Sequence, residues 1–138
     1  MKKIIIVDTD ITIDFLRGQK NAINLFKSKS ENISFSAITV AEIYSGIRNK
    51  NEETEIERLF SIFPVIPNSF EISRLAGKMV KQYRLSHNVE IPDALIAATC
   101  LLSEADLYTL NIKHYPMFKE LKPPYRKTIN LHSPSMGL

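Results

Sequence analysis

An α/β domain built on a mainly parallel sheet is what the order of hydrophobic segments predicts. Short β-branched runs alternate with longer stretches whose apolar residues recur at helical spacing. The first run, residues 4–7, is apolar throughout, as in a strand covered on both faces. Acids follow it at once, at Asp8 and Asp10, and in sheets of this kind ligands bind outside the carboxyl ends of the strands.

Residues 2–7 form the first predicted strand. Ile11 with Phe15, and Ile13 with Leu16, predict a helix over 10–17, stopped at Gly18. A second helix is expected over 20–29 and a second strand, "ISFSA", at 33–37. Over 38–49, Val40, Ile43, Tyr44 and Ile47 share one helical face. A helix over 52–62 is halted by Pro64, and "PVIP" leaves room for a short strand. Over 70–86 the period is cleanest: Ile72, Leu75, Ala76, Met79, Val80 and Tyr83 fall on one face, and Arg74, Lys78 and Lys81 on the other. That basic stripe reads either as a solvated helix face or as a phosphate-facing one. In "IPDALIAATCLLSEA", Pro92 suits the first helical position, where its missing N–H has no partner. Residues 94–102 are apolar all round except for Thr99, so this helix is expected to be buried on nearly every side. "DLYTL", 106–110, reads as a strand, "NIKHYPMF" as a loop, and "KTINL", 127–131, as a last strand. Together these make one domain over residues 1–132, followed by a loose tail at 133–138.

A length of 138 residues and a hydrophobic fraction of 44% suit one domain with a core that needs no staples. The single cysteine, Cys100, rules out an internal disulfide and falls inside the apolar helix, where it reads as a core residue. No apolar run reaches the ~18 residues needed to span a bilayer, and only four apolar residues separate Lys3 from Asp8, too few for a secretory leader. A cytoplasmic protein without a membrane partner is therefore expected. His87, His114 and His132 lack zinc-ligand spacing, and four glycines leave no Gly-rich phosphate loop. The net charge of +3 hints at a polyanionic partner.

Candidate chemistry lies in the carboxylates. Three of the five aspartates fall within residues 8–14. Asp8 reads as a helix cap or as a site residue, and Asp10 is an equally good cap. Asp14 is expected to pair with Arg17 on the helix surface. Glu42 falls with Ile38 and Ser45, off the main apolar face. Asp93 sits in the first turn of the buried helix, favoured by the helix dipole yet in a dry setting where an unpaired charge is costly. A cation would resolve that cost. Acids converging on one rim suit a hard, oxygen-loving ion, Mg2+ or Mn2+.

Two resemblances bear on these acids. "VDTDIT" resembles the haloacid-dehalogenase phosphatase signature, with Asp8 as nucleophile and Asp10 as its acid/base partner. That match spans six residues, and the later acids it needs are missing, since only Asp93 and Asp106 follow residue 90. A second resemblance covers almost the whole chain. "IIIVDTDITIDFLRG", "ISFSAITVAEIYSGI", "VEIPDALIAATCLLSEADLYTLN" and "NIKHYPMF" resemble, in order and spacing, the four segments of PIN-domain ribonucleases, specifically VapC-type toxins of toxin–antitoxin pairs. The resemblance implies a three-layer α/β/α fold and Mg2+-dependent hydrolysis of RNA, with Asp8, Glu42 and Asp93 as metal-binding and catalytic residues. It also implies a cognate antitoxin and a homodimer. Lys113, Arg74, Lys78 and Lys81 would then contact RNA. Two departures stand out: Asp10 where the family often has Asn or Ser, and Asn111, Lys113 and His114 where a fourth acid commonly stands. Asp10, Asn111 and His114 are thus accessory candidates. The missing acid leaves a non-cutting RNA- or partner-binding module as the rival.

Overall fold

The β-branched runs pair into one parallel sheet. In this computed structural model, which describes residues 3–126, the strands are Ile5–Val7 (β1), Ile33–Ser36 (β2), Val65–Ile66 (β3) and Asp106–Tyr108 (β4). Their order is β3-β2-β1-β4, and every pairing is parallel. Six α-helices connect them: Thr9–Leu16 (α1), Lys20–Lys29 (α2), Ala37–Ser45 (α3), Lys50–Ile62 (α4), Phe70–Tyr83 (α5) and Ile91–Leu102 (α6), with a 3-10 turn at Ile112–His114 after β4. The predicted strand at 127–131 and the tail at 133–138 lie outside the described residues. None of these helices is long and apolar enough to cross a membrane.

Alternation along β1 divides the core. Ile6 points into a cluster with Ile72, Ala76 and Met79 of α5 and with Ala94, Ala97 and Ala98 of α6. Ile5 and Val7 point the other way, to Ile11 of α1, Ala22 and Phe26 of α2 and Leu59 of α4. The result is the expected three layers, with helices on both faces of the sheet. That is why β1 reads as an unbroken apolar run: Ile6 and Val7 are both fully buried. On α6, Ile96, Ala97, Ala98, Thr99 and Cys100 are buried, as its all-round apolar composition requires. The α5 stripe of Arg74, Lys78 and Lys81 is exposed, on the face turned away from α6.

Some boundaries differ from expectation. Pro92 is the second helical residue, one place later than predicted, where it still lacks an obligatory acceptor. α5 ends at Tyr83, three residues short of the expected 86, and the Tyr83 carbonyl accepts the N–H groups of His87 and of Asn88, the latter in the left-handed region at φ 49°. α3 ends at Ser45, and its buried face is Thr39 and Ile43, while Tyr44 stays partly exposed against Phe60. Asp14 does not take Arg17 as its partner: its Oδ2 accepts the Tyr125 hydroxyl at 2.8 Å, which ties the end of the described chain back onto α1.

The topology fixes where a ligand goes. From β1 the chain moves outward to β2 and β3, then returns to β4 on the other side of β1. The carboxyl ends of β1 and β4 therefore flank the switch point at which open α/β sheets bind their ligands.

Candidate active site

Asp8 follows β1 directly and stands at that switch point. Its N–H donates to Tyr108 C=O at 2.9 Å, continuing the β1–β4 ladder by one residue. It is also the N-cap of α1, as one of its two sequence readings has it. Its side chain accepts three hydrogen bonds: Thr9 N–H to Oδ1 at 2.7 Å, and the Thr109 and Tyr115 hydroxyls to Oδ2, each at 2.8 Å. Only 6% of Asp8 is exposed.

From Asp8, one run of contacts reaches the other predicted acids. Thr9 uses its N–H on Asp8 and its hydroxyl on Glu42, 2.7 Å from Oε1. Glu42 is therefore half-buried and directed at the site, because α3 packs across α1 and α6. Burial raises its proton affinity, the Thr9 hydroxyl lowers it, and Asp8 raises it further, with a net rise. On the other side, the Tyr115 hydroxyl that reaches Asp8 lies 3.4 Å from Oδ1 of Asp93. Asp93 has its pKa pushed up to about 6 by burial first, then by the charge of Asp8, with His114 opposing. His114 Nδ1 is 3.4 Å from Asp93 Oδ2, so the residue standing in the missing acid's place touches the site.

Asp10 is a structural clamp. Its Oδ1 accepts Ile11 N–H at 2.7 Å and its Oδ2 accepts Leu110 N–H at 2.9 Å, which fastens α1 to the segment leaving β4. Burial and then Asp8 push its pKa up to about 7. With each oxygen engaged by a backbone amide, it is poorly placed to act as a phosphatase acid/base partner. Asn111 contributes through its backbone, N–H to the Thr109 hydroxyl at 3.1 Å. Lys113 lines a cleft of about 360 Å³ with Asp93, His114, Glu90 and the 87–89 loop. Arg74, Lys78 and Lys81 are not brought to the acids; Arg74 instead covers the exposed Phe70 ring at 5.7 Å.

Sequence reasoning missed Thr9, Thr109 and Tyr115. A threonine after a strand or an aromatic in a loop carries no periodic signal; the β1–β4 adjacency makes Thr109 and Tyr115 site members, and the packing of α3 on α1 does so for Thr9.

The acids suit a hard cation in a limited way. Among the described residues, no three Asp, Glu, His or Cys side chains are arranged to close on one ion. What fits is the pair of Asp8 and Asp93: desolvated, mutually repelling, and separated by one shared hydroxyl. Two carboxylates suffice for Mg2+, which keeps much of its water.

Comparison with known proteins follows the same outline. Residues 5–116 match the PIN domain family. The chain is 41% identical over 124 residues to Ribonuclease VapC10 of Mycobacterium tuberculosis, covering 88% of this chain and 92% of that protein. It is 36% identical over 124 residues to Ribonuclease VapC19 of the same organism, covering 87% and 98%. A chain from the solved toxin–antitoxin complex of Klebsiella pneumoniae is similar with a TM-score of 0.76 at 26% identity, covering 88% of this chain and 98% of that one.

Proposed function

The chain belongs to the PIN-domain family, and from that premise we propose that it is a Mg2+-dependent endoribonuclease, with Mn2+ as a substitute, acting as the toxin of a toxin–antitoxin pair. The observation that carries this reading is the pair of Asp8 and Asp93 facing one buried hydroxyl at the switch point, with Glu42 within electrostatic reach of both.

In this reading Asp8 and Asp93 hold the cation. When bound, it supplies charge neutralisation at the scissile phosphate and lowers the pKa of water so that a nucleophile is available near neutral pH. Glu42, anchored by Thr9 and with a raised proton affinity, orients the attacking water and takes its proton. Asp93 lies in the first turn of α6, at the positive end of the helix dipole, which favours an approaching phosphate. Lys113, exposed in the cleft next to Asp93, attracts the RNA backbone. Protein partners follow from the same premise: a homodimer and a cognate antitoxin. An RNA-cutting toxin of this kind works in the cytoplasm.

One observation favours the non-cutting alternative. His114 in contact with Asp93 competes with a cation for that carboxylate. A single comparison separates the two readings. The chain and its Asp93→Asn variant are expressed and purified, and RNA integrity is scored with Mg2+ and with EDTA. RNA loss that needs both Mg2+ and Asp93, falling at least about 100-fold in the variant, is the expected result. Equal RNA survival in all arms would leave a binding module.

A further inference from the structure

Tyr115 is fully buried, and its ring packs in the apolar cluster beneath α6, 6.4 Å from the Phe118 ring. A phenylalanine would serve that packing without burying a hydroxyl, which is costly unless it is hydrogen-bonded. The hydroxyl spends its one proton on Asp8 Oδ2 at 2.8 Å. A carboxylate offers about four lone-pair directions. Thr9 N–H occupies one on Oδ1, and Thr109 and Tyr115 occupy both on Oδ2. The remaining direction is on Oδ1. Across the hydroxyl, 3.4 Å away, stands Asp93 Oδ1. Tyr115 comes from the end of the 3-10 turn, where its N–H donates to Ile112 C=O and its carbonyl accepts Phe118 N–H, so its backbone is held on both sides.

We propose that Tyr115 is a positioning residue, whose buried hydroxyl locks the rotamer of Asp8 and sets its distance from Asp93 so that the two carboxylates take one divalent cation. The inference rests on the proposed function insofar as that pair is the cation site. Groups that orient metal ligands from behind change affinity by about 10–100-fold when removed, because the ligands must then be ordered at the moment of binding. A residue that served only the core would change stability and leave affinity alone.

The test compares the full chain with its Tyr115→Phe variant by titrating Mn2+ calorimetrically and by thermal unfolding in EDTA. The expected result is Mn2+ binding weakened about tenfold in the variant, with a melting temperature within about 3 °C of the unmodified chain. Equal or tighter Mn2+ binding by the variant overturns the proposal and leaves the nuclease reading intact. An unmodified chain that binds no Mn2+ overturns both, and its own titration reveals this without the variant. A variant that does not fold assigns the hydroxyl to the core and overturns the proposal as well.

Discussion

Asp93 and Asp10 are carboxyls that hold their protons more tightly folded than a free aspartate does, because both are desolvated beside Asp8. Such a group favours the folded state fully at pH below its unfolded value near 4, and the benefit is lost as pH rises through its folded value. With pKa values pushed up to about 6 and about 7, the loss runs from mildly acidic to neutral pH. Calorimetric unfolding in EDTA should therefore give a lower melting temperature at pH 8 than at pH 5. Saturating Mn2+ should recover more of it at pH 8, where it meets ionised acids. A melting temperature that climbs from pH 5 to pH 8 in EDTA would contradict this account of the two acids. Asp14 is a smaller lesson at the same scale. Spacing alone pairs it with Arg17, but a tyrosine 111 residues away takes its Oδ2 instead, a contact that no local rule reaches.

At the scale of elements, the helices carry the site because of how they begin. Asp8 caps α1, Ser36 caps α3, and Pro92 and Asp93 fall in the first turn of α6, so the site gathers around helix N-termini at the carboxyl ends of strands. The start of α1 was legible from its cap residue and that of α6 from the proline, whereas Ser36 and Ala37 were expected inside the second strand. The helix ends were less legible: α3 stops at Ser45, short of Ile47 where its apolar period runs, and α5 stops at Tyr83, the last residue of its apolar face, three short of the expected 86. α6 positions Asp93 through burial. Ile96 is fully covered, and Ile96→Ala should cost about 2–5 kcal/mol of unfolding free energy, read by urea denaturation. Cleavage per folded molecule should change little, because the cavity lies one turn below the acid.

For the molecule as a whole, surface charge is sorted by the layers. Lys113 opens on the cleft beside Asp93, whereas Arg74, Lys78 and Lys81 face away from α6 on the outside of α5. Lys113→Ala should raise KM for RNA several-fold with kcat nearly unchanged, and the effect should shrink with added salt. Replacing all three stripe residues should leave KM within about twofold. Steady-state kinetics at two salt concentrations checks both, and a KM loss confined to the stripe would move the RNA path onto α5.

The sequence by itself determined the alternation of strands and helices and the burial of β1 and α6, and it singled out three acids as candidates, because hydrophobic period, proline position and an acid after an apolar strand are local properties of the chain. Only the tertiary structure decided how those acids are held. Strand order places β4 beside β1, and that adjacency brings Thr109 and Tyr115, the latter 107 residues along the chain, onto the carboxylate of Asp8. A hydroxyl's partner is set by which strands become neighbours, and periodicity carries no record of that choice.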